Sequence, residues 1–216
     1  MSIFFKAYNF ITHVKFKLWG QRTGKGRRIH VSQWNEEFAD GRWEYLKNDR
    51  QTTRYKAIMD ILAKHKTKPA ILDVGCGEGI LVDHLIQKKI DFSDYLGLDI
   101  SSQAITKAQH HHPTVKFETA DAEKYIASSG YDIIIFNECI YYFRNPLLVL
   151  HNFERYLNKN GIYIMSVFNN KNYFQILDSI RKSYPCNESK IVSDGISDRW
   201  IISIFSPLDR QYIGPN

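Results

Sequence analysis

Three cysteines in 216 residues, at positions 76, 139 and 186, are too few and too widely spaced for a disulfide framework. None belongs to a CxxC pair of the kind a structural zinc uses, so a reducing compartment is expected. No apolar run reaches the roughly 18–20 residues that a membrane-spanning helix needs. Internal repeats and low-complexity tracts are missing, which sets solenoids and disordered tails aside. Acids are missing from residues 1–30, which hold seven of the 29 Lys and Arg. The remaining chain carries 22 basic against 23 acidic residues, so the formal charge of +6 belongs to the N-terminal arm. A protein that grips nucleic acid through its main surface carries its basic excess there instead.

What is present begins with that arm. In "MSIFFKAYNFITHVKFKLWG", Ile3, Ala7, Ile11, Val14 and Leu18 share one helical face, while Lys6, Asn9, His13 and Lys17 share the other. Lys and His interrupt any signal-peptide core. Two readings stand: a basic amphipathic helix on an anionic membrane surface, or a helix packed on its own domain. "GQRTGKGRR" then reads as a mobile linker. The expected organisation is an arm and linker at 1–30, lid helices at 31–68, a main domain at 69–206 and a tail at 207–216.

The main domain alternates. Apolar runs at 70–74, 95–100, 115–119, 131–137 and 161–168 predict strands, separated by helices near 79–89, 102–112, 122–128, 146–158 and 172–183. Such alternation implies right-handed crossovers and a mostly parallel sheet covered on both faces. "ESKIVSDGISDRWIISIFSP" predicts a closing antiparallel hairpin around Gly195.

"ILDVGCGEG" follows the first strand, where an open parallel sheet places its ligand. Gly75, Gly77 and Gly79 let backbone approach that ligand without Cβ interference. A pyrophosphate would be repelled by Asp73 at the strand end, whereas an ammonium or sulfonium would be attracted. S-adenosyl-L-methionine carries both cations and no phosphate. Asp99 follows the last loop glycine by 20 residues, the distance at which an acid meets ribose hydroxyls in related nucleotide folds. Ile100 is placed to pack on adenine, and Asp121 to accept from its exocyclic amine.

"ILDVGCGEG", "YLGLDIS", "ETADAE" and "YDIIIFNECIYYF" together resemble the successive motifs of class I S-adenosylmethionine-dependent methyltransferases, over roughly residues 54–206. "FNECIYYF" and "GRWEYL…TTRY" resemble the small-molecule branch, including nodulation-type N-methyltransferases. The resemblance implies a Rossmann-like, doubly wound α/β fold of seven strands in the order 3-2-1-4-5-7-6, strand 7 antiparallel. It also implies a cofactor-binding set of Arg54, Asp73, Gly75, Cys76, Gly77, Asp99, Ile100, Asp121, Ala122 and Asn137. Strand 4 then ends facing the sulfonium. Glu138 is the candidate general base and Tyr141 the candidate orienting hydroxyl, against the alternative of Glu138 pairing structurally with Arg144. Trp34, Trp43 and Arg54 form a lid, with Arg54 either on the methionine carboxylate or simply packed.

Other patterns carry less. The adjacent His110, His111 and His112 point in different directions on a helix end, so a solvated C-terminus is expected and no metal site. Ser166 and His151 lack a nucleophile-elbow context. The expected acceptor is a small molecule or a carbohydrate- or lipid-linked intermediate, methylated on oxygen or nitrogen. Its expected setting is the cytoplasm, with peripheral membrane contact through residues 1–30. The rivals are an RNA or tRNA methyltransferase, a catalytically inactive S-adenosylmethionine-binding partner subunit and, more weakly, an NAD-dependent oxidoreductase.

Overall fold

The computed structural model describes residues 24–208 apart from 66 and 129. The amphipathic arm up to residue 23 and the tail from 209 lie outside the described residues. Within them the order is α1 (Val31–Ala39), α2 (Asp49–His65), β1 (Ala70–Val74), α3 (Ile80–Gln87), β2 (Asp94–Asp99), α4 (Ser102–His111) and β3 (Lys116–Thr119). Then come β4 (Tyr131–Asn137), α5 (Pro146–Glu154), β5 (Leu157–Phe168), α6 (Lys171–Ser183), β6 (Cys186–Ser193) and β7 (Arg199–Phe205). One-turn 3-10 helices at Glu44–Lys47 and Ile140–Tyr142 sit beside the lid and after β4.

The sheet has the order β3-β2-β1-β4-β5-β7-β6, parallel through β5, with β7 antiparallel to both β5 and β6. This is the Rossmann-like order that the sequence resemblance implied. Side-chain alternation along β4 explains why both faces must be covered. Ile134 and Phe136 point into one core with Phe153, Leu177 and Ile180, while Ile133 and Ile135 point into the other with Ile58, Leu62 and Leu81. Helix starts are set by local chemistry. The Ser101 side chain accepts from the Ala104 amide at 3.2 Å, and Asn145 accepts from Leu148 ahead of Pro146.

Three expectations are corrected. No helix forms over 122–128: the chain makes a turn at 122–124 and continues irregularly. The segment offers no second apolar stripe, and Ile126 is 79% exposed. Its polar groups bind elsewhere, with Glu123 Oε1 accepting from the Arg144 amide and Oε2 lying 3.2 Å from Arg28. Strand β5 starts at Leu157 rather than 161, because Leu157 pairs with Tyr131 before the chain kinks at Asn160, whose φ is 64°.

Residues 24–28, the third case, do not behave as a free linker. The Arg27 amide donates to the Tyr141 carbonyl at 2.8 Å, and Arg28 bonds Asp121 at 2.8 Å. Gly26 passes so close that a Cβ there would stand 2.1 Å from the Phe143 carbonyl oxygen. Only glycine permits that crossing.

Candidate active site

Strand order creates the site. β1 and β4 are sheet neighbours, yet their crossovers leave in opposite directions along the sheet, which opens a crevice beyond their C-terminal ends. A cavity of about 410 Å³ occupies it. Arg54, Asp73, Gly75, Cys76, Gly77, Asp99, Ile100, Asp121, Ala122, Asn137, Glu138 and Tyr141 all line this one cavity. The sequence had scattered them over 88 positions.

The glycine loop turns sharply, with Gly75, Gly77 and Gly79 at φ of 72°, 57° and 81°. A Cβ on Gly75 would stand 2.6 Å from the Cys139 Cβ, so the loop is tied to the chain after β4 as well as to the ligand space. Asp73 is 2% exposed. Its Oδ2 accepts from the Tyr95 hydroxyl at 2.8 Å, and its Oδ1 is buried with no partner. Burial drives its pKa from 3.8 to about 7 against that hydrogen bond. Asp99 accepts from the Ser101 amide at 2.8 Å and the Gly77 amide at 3.0 Å. Burial still raises its pKa to about 6. An acid held in this way keeps one lone pair on each oxygen for a ligand.

Glu138 follows β4 in the left-handed region at φ 62°, an uncommon conformation for a side-chain-bearing residue. Its Oε2 accepts from the Tyr141 hydroxyl and its Oε1 from the Ser166 hydroxyl, each at 2.8 Å. Burial raises its pKa, opposed by the Arg54 charge and by those two donors. The partner of Glu138 is therefore this hydroxyl pair, and Arg144 instead donates its amide to Glu123.

Arg54 is 2% exposed, with its guanidinium 4.6 Å from the Tyr55 ring centre and 5.8 Å from that of Trp200. Its Nε is buried without a partner, as is Asn137 Oδ1. Asp121 is less free than the sequence suggested. Its Oδ2 is held by Arg28 and its Oδ1 accepts from the Glu123 amide at 3.1 Å.

The roof comes from α1 and the chain after it. The Asn35 side chain accepts from the Ser101 hydroxyl at 2.8 Å, and Phe38 lies against Gly77. Glu78 bonds Lys47 at 2.7 Å and Lys107 at 2.8 Å, tying the roof to the glycine loop and α4. Burial pushes the Glu78 pKa up, but the two lysines more than offset this and hold it below the usual carboxylate range. Trp34 packs edge-on to Tyr142 at 4.9 Å and beside Trp43 at 5.5 Å.

Sequence reasoning missed Tyr95, Ser166, Arg28 and the Glu78 pairing. One signal existed: Tyr95, Gly97, Ile71 and Asp73 share a strand-face parity, and β1–β2 register sets Asp73 opposite Gly97. The histidines separate too. His110 and His111 are exposed, but His112 is 8% exposed and its Nε2 lies 3.2 Å from Asp83, which corrects the expectation of a wholly solvated trio. Among the described residues no group of three His, Cys, Asp or Glu is placed to hold a metal.

The family described as "Methyltransferase domain" matches residues 65–200. This chain belongs to that family. By family and fold it is a class I, S-adenosylmethionine-dependent methyltransferase domain. A malonyl-[acyl-carrier protein] O-methyltransferase of Halalkalibacterium halodurans is 28% identical over 119 residues, covering 52% of this chain and 44% of that protein. The chain spans about half the length of the curated relatives it matches. Among solved structures, the N-methyltransferase NodS of Bradyrhizobium japonicum WM9 with S-adenosyl-L-homocysteine superposes at a TM-score of 0.67. It is 14% identical, over 82% of this chain and 98% of that one. The plantazolicin methyltransferase BpumL superposes at 0.61 and is 15% identical, over 93% and 98%. Both share this methyltransferase's fold.

Proposed function

We propose that this methyltransferase moves the methyl group of S-adenosylmethionine to an oxygen or nitrogen of a small molecule or of a carbohydrate- or lipid-linked intermediate. One observation carries the cofactor half: a buried carboxylate oxygen of Asp73 with no protein partner, beside the bare Gly75–Gly77 backbone. A buried acid in that state is stabilised by a cation and destabilised by a diphosphate. The bound cofactor supplies an electrophilic methyl group on a positively charged sulfur. Asp73 faces its cationic portion, Asp99 accepts from the ribose hydroxyls, and Ile100 and Ala122 cover the adenine. Asp121 accepts from the adenine amine in competition with Arg28. Arg54, whose buried Nε has no partner among the described residues, takes the methionine carboxylate, and Asn137 closes the wall.

On the acceptor side, Glu138 takes the acceptor's proton while Tyr141 and Ser166 fix its carboxylate. The roof of α1 and its aromatic neighbours excludes water from the transfer. A curated relative named as a malonyl-[acyl-carrier protein] O-methyltransferase and a solved N-methyltransferase of the same fold keep both oxygen and nitrogen acceptors in the reading. The main body's near-neutral charge favours such acceptors over RNA.

Calorimetry with S-adenosylhomocysteine tests the reading. The wild-type chain should bind it, and Asp99→Ala should bind at least about tenfold more weakly, the worth of roughly 1.5–3 kcal/mol in hydrogen bonds to a charged acceptor. Equal affinity in the variant would overturn the ribose assignment, and no wild-type binding would overturn the function.

A further inference from the structure

We propose that the acceptor half of the cavity recognises an organic cation, so that the atom methylated is the nitrogen of an amine arriving as its ammonium ion. This rests on the methyl-transfer reading and narrows its acceptor from oxygen or nitrogen to one class.

The walls carry the argument. Trp34, Trp43, Tyr45, Tyr142 and Tyr173 all line the cavity. None is fully buried, so ring surface remains available. Trp34 lies 5.5 Å from Trp43 and 4.9 Å from Tyr142, Trp43 lies 6.0 Å from Tyr45, and Tyr173 stacks on Tyr141 at 3.9 Å. Aromatic faces are the negative ends of ring quadrupoles, and several around one space attract a positive head. Glu138 adds an acid at the base of the same space, held there by two hydroxyl donors.

The two cations that line the cavity, Arg28 and Arg54, are already committed. Arg28 is bound by Asp121 and Glu123. Arg54 lies against Tyr55 and Trp200 and serves the methionine carboxylate in the reading above. Arg27 bears on Tyr142 and Tyr173 but does not line the cavity. A neutral acceptor would leave the Glu138 carboxylate with Arg54 and its two hydroxyl donors as compensation but no cation in the acceptor space, and an anionic acceptor would be repelled by it. An ammonium satisfies both the rings and the carboxylate.

The chemistry balances. Glu138 removes one proton from the ammonium, leaving a neutral amine. The nitrogen lone pair attacks the methyl carbon in line with the C–S bond. That bond breaks with its pair going to sulfur, which becomes a neutral thioether, and the product is the methylated ammonium. One positive charge stands in total before and after.

The test uses the full chain saturated with S-adenosylhomocysteine and three probes of matched shape, followed by calorimetry and by tryptophan fluorescence from Trp34 and Trp43. The probes are choline (cation), 3,3-dimethylbutan-1-ol (neutral) and 3,3-dimethylbutanoate (anion). Choline should bind about tenfold or more tightly than either other probe. Tyr45→Leu, at a residue 48% exposed and so tolerant of substitution, should weaken choline by about threefold. Glu138→Gln should weaken it further while leaving S-adenosylhomocysteine bound. Equal or tighter binding of the alcohol or the carboxylate overturns the inference and leaves the methyltransferase reading standing. A chain that fails to take up S-adenosylhomocysteine at all overturns that reading first.

Discussion

The two halves of the cavity are built from different material. The half proposed to hold the cofactor is made at strand ends: Asp73 and Asp99 sit in the paired ends of β1 and β2, while Asp121 lies just beyond β3 and is held by Arg28. The acceptor half is made by what lies over and beside the sheet: α1, the turn at Glu44–Lys47, the left-handed Glu138 and the crossing segment at 24–28. Strand-end acids inherit their position from the sheet. The acceptor walls depend on side-chain latches such as Lys47–Glu78 and Arg28–Asp121, which are separate from the core. On the proposed reading, the fold therefore positions the cofactor and the latched cover shapes the acceptor space.

That contrast can be broken at either end. The larger effect is expected in the sheet. Tyr95→Phe removes the one hydrogen bond that the Asp73 carboxylate receives among the described residues, and at pH 8 it should cost about 1–3 kcal/mol in denaturant unfolding. Stability equal to wild type at pH 8 would mean that Asp73 is not ionised there. A smaller effect is expected in the cover. Arg28→Ala frees Asp121 and Glu123, and a partly exposed pair of this kind contributes about 0.5–1 kcal/mol. Stopped-flow fluorescence should show faster association of S-adenosylhomocysteine, with affinity unchanged or somewhat higher, because one of the ties that hold the segment at 24–28 across the site is gone and Asp121 is freed. Unchanged rates would mean that the segment does not obstruct entry.

Legibility in the sequence follows the same division. Continuous apolar runs and a glycine turn report on sheet geometry, so β1 to β4 and their terminal acids could be read from residues alone. The 122–128 helix failed because helical spacing says nothing about whether a face will find a partner, and Ile126 finds none. Residues 20–28 read as linker because glycine and basic residues usually mean solvent, while Gly26 is there for a close backbone crossing. Ser166 and Arg28 could not be found: each acts on a residue 28 or 93 positions away, and nothing local marks such a pairing. Arg54 was legible as a lid residue, but its burial between Tyr55 and Trp200 with an unpartnered Nε depends on tertiary packing.

The electrostatic claim at the centre is that Asp73 binds a cation in its ionised form. Burial raises its pKa above the unfolded 3.8, so its contribution to the free protein's stability is full below that value and is lost as pH rises through about 7. Asp99, raised to about 6, adds to the same trend at its lower edge. Cation binding runs the other way, because it selects the carboxylate. Calorimetry of S-adenosylmethionine from pH 5.5 to 8 should show affinity rising by about tenfold or more in the wild type, as expected for a group titrating within that window. In Asp73→Asn the rise should be reduced to what Asp99 contributes, near the acid end. An affinity that is flat across this range in the wild type, or equally steep above pH 6.5 in Asp73→Asn, would contradict the account.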